Sequence, residues 1–273
     1  MRGIILSGGM GTRLAPITKV ISKQLLPIYN QPMVYYPIAT LMSAGLREIL
    51  LITTARDLPM YQALLGDGAQ LGITLQYKTQ EKARGIVEAL QLGENFVGSE
   101  AFVLILGDNL FFGENMGKKI ADALRKTQTG TNTVFGYPVD DPYRFGVAEL
   151  DKDGKLLSIE EKPACPKSRY AVVGLYVYAH QALNMAKRLK PSPRGELEIT
   201  DLNNLCLKDS VLEMQLLDDG TVWYDAGTPD SLLDAGLFVR AQKAKNSGMC
   251  PTPVEIAHRN GWIANNNRKE RAF

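Results

Sequence analysis

We predict an α/β fold for this chain from three features of its sequence. Short apolar runs, with the length and residue types of buried strands, alternate with helical segments through the first half. A glycine-rich turn follows the first of these runs, and from about Thr131 several strand-like runs come in close succession. Such alternation is typical of a mostly parallel sheet. We therefore expect a Rossmann-like, mostly parallel sheet covered by helices on both faces, with additional β-strands and helices in the C-terminal half.

The first half is predicted to begin with a strand at Ile4–Leu6. A helix is predicted from Pro32 to Ala44, because proline suits the first turn of a helix and Gly45 suits the position after its end. Pro37 inside this helix is expected to kink or interrupt it. The remaining predicted elements alternate along the chain: strand Glu48–Thr53, helix Leu58–Leu65, strand Ile73–Lys78, helix Gly85–Phe96 and strand Phe102–Leu106.

The second half is predicted to be richer in strands, which turns such as Asp153-Gly154 separate. No proline- or serine-rich linker and no internal repeat divides the chain, so a single domain over residues 1–273 is the simpler expectation. The predicted elements are strands Thr133–Val139, Gly146–Leu150, Lys155–Glu160 and Val172–Tyr178, helices Gln181–Leu189 and Glu198–Lys208, short strands around Met214 and Trp223, and a helix from Asp230 to about Ala244.

Composition excludes several classes of function. The 31 basic and 29 acidic residues give a formal net charge of +2, which does not support binding to nucleic acid. Cys165, Cys206 and Cys250 have no CxxC spacing, so neither a disulfide framework nor a zinc site is indicated. No apolar run long enough for a membrane span and no signal peptide is present. We expect a cytoplasmic enzyme without a membrane partner.

The glycine-rich turn predicts a polyphosphate site. Without a Cβ atom, successive backbone N–H groups can converge on phosphate oxygens, and nearby cations neutralise their charge. The turn and the segment after it supply the predicted contacts: Gly8, Gly9, Gly11, Thr12, Arg13, Lys23 and Gln24.

Two common glycine motifs do not match this turn. The dinucleotide-binding motif needs a glycine where Leu14 stands, and an acidic residue about 20 positions on, where residues 29–31 are Tyr-Asn-Gln. The P-loop ends in Gly-Lys-Ser or Gly-Lys-Thr, and neither triplet occurs in the chain. The alternative left open is a hairpin or capping turn with two unrelated cations.

Two aspartates are candidate ligands for Mg²⁺. Asp108 follows the apolar strand Phe102–Leu106, and ligands bind at the carboxyl edge of an open α/β sheet. Asp225, in Trp-Tyr-Asp-Ala-Gly-Thr, again follows a strand. Mg²⁺ prefers one or two carboxylates together with phosphate oxygens. Either aspartate alone is more often a helix cap or a turn residue.

The opening motif G-G-x-G-T-R-L, followed by Ser-Lys-Gln-Leu-Leu-Pro at residues 22–27, resembles the signature of the sugar-1-phosphate nucleotidylyltransferases. The chain is most similar to the subgroup that uses dTTP and glucose 1-phosphate. The resemblance implies Mg²⁺-dependent, direct in-line transfer of a thymidylyl group, with dTDP-glucose and pyrophosphate as products. The absence of a Ser-His-Asp or Cys-His set agrees with direct displacement. Use of UTP or another nucleotide, and a noncatalytic nucleotide-sugar sensor, remain as alternatives.

The resemblance also implies roles for individual residues. Gln80 would pair with a pyrimidine base and Gly85 would allow backbone to approach it closely, so that both join Asp108 and the glycine turn in nucleotide binding. Glu161 and Lys162 would reach one sugar phosphate only if the strand ends or twists there, because adjacent strand residues point to opposite faces. The sugar-phosphate set is Asn109, Gly146, Glu161, Lys162, Val172 and Arg194, and the catalytic set is Arg13, Lys23, Asp108, Lys162 and Asp225, with Asp108 and Asp225 holding the metal.

In this scheme residues 1–130 are mainly the nucleotide-binding half and residues 131–240 mainly the sugar-phosphate-binding half. Residues 241–273 form a C-terminal helical segment with a role in oligomers or regulation, and the expected assembly is a homotetramer, a dimer of dimers. The chain departs from the pattern at Phe145, where many relatives have tyrosine, and at Arg84 and Val87 in the base-binding segment. At these three positions the resemblance therefore does not predict which base or sugar the chain prefers.

Overall fold

The computed structural model describes residues 1–81, 84–193, 195–217 and 219–264. In chain order the elements are β1 (Arg2–Leu6), β2 (Pro27–Ile28), β3 (Gln31–Pro32), α1 (Tyr35–Ser43), β4 (Glu48–Thr53), α2 (Leu58–Leu65), β5 (Thr74–Thr79), α3 (Ile86–Leu92), α4 (Glu94–Val97), β6 (Phe102–Leu106), β7 (Asn109–Phe112), α5 (Met116–Lys126), β8 (Asn132–Pro138), β9 (Gly146–Leu150), β10 (Leu156–Glu161), β11 (Tyr170–Tyr178), α6 (Gln181–Ala186), α7 (Ile199–Lys208), β12 (Leu212–Leu216), β13 (Val222–Asp225), α8 (Pro229–Ala244) and α9 (Pro253–Arg259).

The described residues form two compact units, and the division passes through β1 and β6. The first unit comprises the described residues of Met1–Ile4, Lys82–Ile105 and Ile120–Asp219. The second unit comprises those of Ile5–Glu81, Leu106–Lys119 and Gly220–Phe273. The predicted α/β class, with a mostly parallel central sheet flanked by helices, is confirmed.

In the second unit the carboxyl ends of β6, β1, β4 and β5 lie side by side. The N–H of Gly107 donates to the carbonyl of Leu6 at 2.9 Å, and that of Ser7 donates to Ile52 at 2.8 Å. Strands β4 and β5 pair in parallel. A separate antiparallel pair joins β7 to β13. The loops that leave these strands therefore meet at one edge of the sheet, where an open α/β sheet binds its ligands.

In the first unit β11 is the central strand. It pairs antiparallel with β6, β8 and β9, β9 pairs antiparallel with β10, and β12 runs parallel to β8. Helix α7 packs against β10 and α6. β11 is buried along almost its whole length, as expected for a strand with neighbours on both sides.

The predicted helix from Pro32 to Ala44 is wrong at its start. Pro32 pairs in β3, and α1 begins at Tyr35. Pro37 lies in the first turn of α1, where a backbone N–H has no partner within the helix, so it does not interrupt the helix. The predicted role of Gly45 after the helix agrees with its positive φ of 84°.

The predicted helix from Gly85 to Phe96 is divided into α3 and α4 at Gly93. A Cβ atom on Gly93 would lie 2.8 Å from Cδ1 of Ile4, so the helix needs glycine here to approach β1. Strand β7 and helix α5 were not predicted. The apolar part of β7 is only Leu110-Phe111-Phe112, too short to be distinguished from the preceding turn.

Within the described ranges, none of the helices combines the length and the apolar composition needed to cross a lipid bilayer.

Candidate functional site

The glycine turn after β1 has a backbone that only glycine adopts easily. Gly9 has φ of 128° and Gly11 has φ of 58°. A Cβ atom on Gly11 would lie 2.8 Å from Cγ2 of Thr18, whose hydroxyl donates to the Gly11 carbonyl at 2.8 Å. The turn then passes into a short helical turn, Thr12–Leu14, that carries Arg13. The chain therefore forms the exposed backbone turn that the sequence predicts for phosphate binding.

Gln80, the predicted base-binding residue, lies beside this turn. It follows β5, and its backbone N–H donates to the Thr53 carbonyl at 2.8 Å. Its side chain is buried, and a Cβ atom on Gly8 would come within 3.2 Å of its Oε1 atom. The absence of a side chain at Gly8 thus leaves the amide of Gln80 next to the turn.

Pairing of β7 with β13 brings the two candidate metal ligands together. Asn109, which follows Asp108, is the register partner of Asp225. The backbone N–H of Ala226 donates to the Asp108 carbonyl at 2.9 Å. The backbones of both aspartates are thus brought together by one strand pair, and their binding of one metal ion stays a prediction.

Lys23 forms a short ion pair with Asp108, and both side chains are largely buried. Burial alone would raise the pKa of Asp108, but the charge and hydrogen bond of Lys23, with the Asn109 amide, hold it below its ordinary value. The Asn109 amide donates to Oδ1 of Asp108 at 3.1 Å and accepts from Nε1 of Trp223 at 2.9 Å. Asp108 is therefore ionised and fixed in orientation at neutral pH.

Arg13 faces the second aspartate. Its Nη2 atom lies 3.8 Å from Oδ2 of Asp225, and its side chain is 54% exposed, so its remaining donors are open to a ligand. A Cβ atom on Gly227 would lie 2.5 Å from Nη2 of Arg13. The absence of a side chain at Gly227 therefore leaves room for the guanidinium beside Asp225.

These residues fit a magnesium ion that also contacts a polyphosphate. The backbones of the two aspartates lie next to each other, and each carboxylate has a cation beside it. Among the residues that the structure describes, no group of three or more His, Cys, Asp or Glu side chains could hold a metal ion. A site with two carboxylates and open positions suits Mg²⁺, which keeps waters and binds substrate phosphates.

In the first unit, three residues predicted to bind the sugar phosphate share one row of the sheet. Gly146 of β9 is the register partner of Glu161 in β10 and of Val172 in β11. The Thr200 hydroxyl, at the start of α7, donates to Oε2 of Glu161 at 2.6 Å. The row therefore presents one carboxylate, held in orientation, beside a position without a side chain.

Glu161 and Lys162 are adjacent in sequence, and the end of β10 between them lets their side chains lie on the same side. β10 ends at Glu161, and Lys162 takes a left-handed conformation with φ of 46°. Its N–H donates to the Phe145 carbonyl at 2.9 Å, and its Nζ lies 3.5 Å from Oε1 of Glu161. The strand therefore ends where the sequence argument requires it to, and the ammonium and carboxylate groups lie together.

Two further residues, Gly85 and Arg194, were predicted to contact the substrates. Gly85 belongs to the first unit, and a Cβ atom there would lie 2.3 Å from the Leu197 carbonyl oxygen. Glycine at residue 85 is thus required for packing against Leu197, and its contact with a base stays a prediction. Arg194 lies outside the described residues.

Several residues that orient the site were not predicted. Thr200 orients Glu161, Trp223 orients Asn109, and Gly227 leaves space for Arg13. Thr200 and Trp223 come from elements distant in sequence, so no local pattern points to them. Gly227 follows a predicted metal ligand, and this spacing is a signal that could have identified it.

The described part of the C-terminal segment lines a cavity of about 280 Å³. Met249, Cys250 and Pro251 line it together with Phe112 and Arg259. Its place in regulation stays a prediction.

The Nucleotidyl transferase family model matches residues 2–242. The glucose-1-phosphate thymidylyltransferase of Neisseria gonorrhoeae is 49% identical over 272 residues, with 100% of this chain and 94% of that protein covered. That of Mycobacterium tuberculosis strain H37Rv is 47% identical, with 100% and 93% covered.

Two solved structures share the fold. A Bacillus anthracis protein assigned as a glucose-1-phosphate thymidylyltransferase, in complex with sucrose, has a TM-score of 0.82 at 43% identity, covering 88% of this chain and 95% of that one. A UDP-glucose pyrophosphorylase complexed with UDP-glucose has a TM-score of 0.78 at 23% identity, covering 88% and 98%, which supports the fold alone. The family match and the full-length relatives confirm the predicted family: the chain belongs to the nucleotidyl transferases.

Proposed function

We propose that this chain transfers a thymidylyl group from dTTP to glucose 1-phosphate, giving dTDP-glucose and pyrophosphate. The observation that carries the proposal is the convergence of Arg13, Lys23, Asp108 and Asp225 at one edge of the sheet. The name and the identity of the full-length relatives support the choice of substrates. Together they favour an enzyme over a noncatalytic sensor, because a sensor has little need for two metal carboxylates.

The glycine turn and its cations would bind the triphosphate. The turn, including Gly9 and Gly11, offers backbone N–H groups, and Arg13 presents an exposed guanidinium whose planar donors match phosphate oxygens. Lys23 would supply a second positive charge from a buried position beside Asp108. Gln80 would hydrogen-bond the base, since its amide offers both a donor and an acceptor to a pyrimidine.

Asp108 and Asp225 would hold Mg²⁺. When bound, this ion offsets negative charge on the phosphate oxygens of the triphosphate. The low pKa of Asp108 keeps its carboxylate available for the ion without a change of protonation at neutral pH. The fixed amide of Asn109 keeps that carboxylate in one orientation.

The first unit would bind the sugar phosphate. Lys162 would contact the phosphate through its ammonium group, with Arg194 as a second cation, and Glu161 would accept hydrogen bonds from sugar hydroxyls. Gly146 would allow the sugar to approach the backbone of β9, and the buried Val172 would pack beside it.

The reaction needs no general base. A phosphate monoester is largely dianionic at neutral pH, because its second pKa is about 6. An oxygen of the sugar phosphate attacks the α-phosphorus of dTTP, a new phosphorus–oxygen bond forms, and the bond to the bridging oxygen breaks as pyrophosphate leaves. The residues of this chain would bring two anions into line and offset their repulsion, which are the main contributions to catalysis of phosphoryl transfer.

We further propose a homotetramer in the cytoplasm, in which the C-terminal segment takes part in assembly or regulation. Light scattering of the purified chain tests this assembly.

The function itself is tested by incubating the purified chain with dTTP, glucose 1-phosphate and Mg²⁺ and identifying the products by phosphorus NMR. Equal amounts of dTDP-glucose and pyrophosphate are expected, and neither should form when one substrate is omitted. Binding of both substrates without any product would instead favour the sensor.

A further inference from the structure

A buried cluster of hydrogen bonds lies on both sides of Lys23. It includes Gln24, which the sequence predicts as a nucleotide contact but which is 1% exposed. Ser22 and Gln24 flank Lys23, and Tyr61 projects from α2. The side chains of all three are almost completely buried, with exposures of 1%, 1% and 0%. Three polar groups are costly to bury unless each has a partner, so packing alone does not explain why these three side chains are buried.

The direction of these hydrogen bonds follows from the number of hydrogens that each hydroxyl can donate. The Ser22 hydroxyl donates to Oε1 of Gln24 at 2.7 Å, and its oxygen lies 2.9 Å from the Tyr61 hydroxyl. A serine hydroxyl has one hydrogen, which is engaged with Gln24, so Tyr61 is the donor to Ser22. The order is therefore Tyr61 to Ser22 to Gln24, and the residues before and after Lys23 are tied to each other and to α2.

The same hydrogen-bonded cluster also contacts the backbone beside Asp108, the ion-pair partner of Lys23. A Cβ atom on Gly107, the residue before Asp108, would lie 3.0 Å from Cγ of Gln24, so the glutamine stem packs against that glycine. The Gln24 carbonyl also accepts from the N–H of Val34 at 2.8 Å. The backbone that carries Lys23 is thus fixed against the backbone that carries Asp108.

We propose that Tyr61 is a positioning residue, which acts through Ser22 and Gln24 to hold the Lys23 ammonium where the triphosphate binds. This inference rests on the proposed function, because that function assigns triphosphate binding to Lys23. A displacement of about 1 Å in a charge-stabilising group can cost up to about a hundredfold in rate. Burial raises the pKa of Tyr61 to about 12, which keeps its hydroxyl protonated as the donor at neutral pH.

The test uses Tyr61→Phe, which removes the hydroxyl and keeps the ring. We expect kcat with dTTP and glucose 1-phosphate to fall about tenfold, and KM for glucose 1-phosphate to stay within about twofold. The matched control is Tyr178→Phe, because Tyr178 is equally buried and its hydroxyl donates to Oδ1 of Asn203 at 2.6 Å in the first unit. This control should leave kcat within about twofold.

A second measurement separates positioning from a general effect on folding. The dissociation constant for dTTP is measured by calorimetry for the unchanged chain, Tyr61→Phe, Lys23→Gln and the double variant. If Tyr61 acts through Lys23, its replacement weakens dTTP binding in the unchanged chain and has no further effect in the Lys23→Gln background.

An equal loss in both backgrounds, unchanged kcat in Tyr61→Phe, or an equal loss of kcat in Tyr178→Phe would overturn the inference. Failure of the proposed function is a separate result: the unchanged chain would then bind dTTP without turnover, and the four dissociation constants would still decide the role of Tyr61.

Discussion

Asp108 immediately precedes β7, Asp225 ends β13, the antiparallel partner of β7, and the backbone N–H that follows Asp225 donates to the Asp108 carbonyl at 2.9 Å. Each carboxylate has its own cation, Lys23 for Asp108 and Arg13 for Asp225. The two pairs differ in the exposure of the cation, because the Lys23 side chain is 14% exposed and the Arg13 side chain is 54% exposed. Replacements in the two pairs should therefore have different effects.

Replacement Asp108→Asn should abolish turnover and lower the melting temperature, because it leaves the buried Lys23 ammonium without a counter-charge. The asparagine carbonyl can still accept a hydrogen bond from Lys23, but the charge that binds Mg²⁺ is lost, and we expect kcat/KM to fall by about a hundredfold or more. Pyrophosphate release and a thermal melt measure the two effects. Asp122→Asn, which breaks an exposed pair with Arg125, is the control. Near-full activity of Asp108→Asn would remove the metal role from this residue.

Replacement Gly227→Ala should displace Arg13 without unfolding the protein. The new methyl group would lie 2.5 Å from Nη2 of Arg13, at the far end of a flexible side chain that can move away. We expect about a tenfold loss in kcat/KM for dTTP and little change in melting temperature. In the control Gly236→Ala, the methyl group meets Tyr29 only at an ordinary 3.6 Å, so its activity should be unchanged. Equal kinetics of the two variants would contradict this assignment.

Replacement Thr200→Val should weaken binding of the sugar phosphate. Valine keeps the shape of threonine but removes the hydroxyl that donates to Glu161 at 2.6 Å. KM for glucose 1-phosphate should rise about three- to tenfold, and KM for dTTP should not change. Thr133→Val is the matched control, since Thr133 is also buried and donates to Glu213 at 3.2 Å. A rise in KM for dTTP alone would show that Glu161 does not belong to the sugar site.

The free energy of unfolding should fall as pH rises from 10 to 12. Burial raises the pKa of Tyr61 from its ordinary 10.0 to about 12. Within this range the unfolded chain loses the phenolic proton while the folded chain retains it, so rising pH favours unfolding. Urea unfolding at several pH values should show a shallower fall for Tyr61→Phe than for Tyr143→Phe, because Tyr143 is exposed. The same slope in both variants would contradict the buried, protonated state of Tyr61.

The sequence was sufficient for the parts of the site that depend on local pattern. The apolar run before Ser7 predicts a strand that ends in a glycine turn, and Asp108 follows a second apolar run, so both were predicted to lie at the carboxyl ends of strands. The strand predicted over Lys155–Glu160 is observed as β10, Leu156–Glu161, and it ends within one residue of the predicted position. In each case the signal lies within a few residues.

The remaining features depend on contacts between distant parts of the chain. Thr200 reaches Glu161, and Trp223 reaches Asn109, only because of pairings that a single sequence does not contain. At the break between α3 and α4, Gly93 leaves space for Ile4, whose Cδ1 atom would lie 2.8 Å from a Cβ atom at residue 93.

The most direct test of the proposed function is a steady-state assay with a matrix of nucleoside triphosphates and sugar 1-phosphates in the presence of Mg²⁺, with pyrophosphate release as the readout. The highest kcat/KM is predicted for dTTP with glucose 1-phosphate. A preference for UTP would correct the base assignment alone. No pyrophosphate from any pair would contradict the proposal that this chain is a nucleotidylyltransferase.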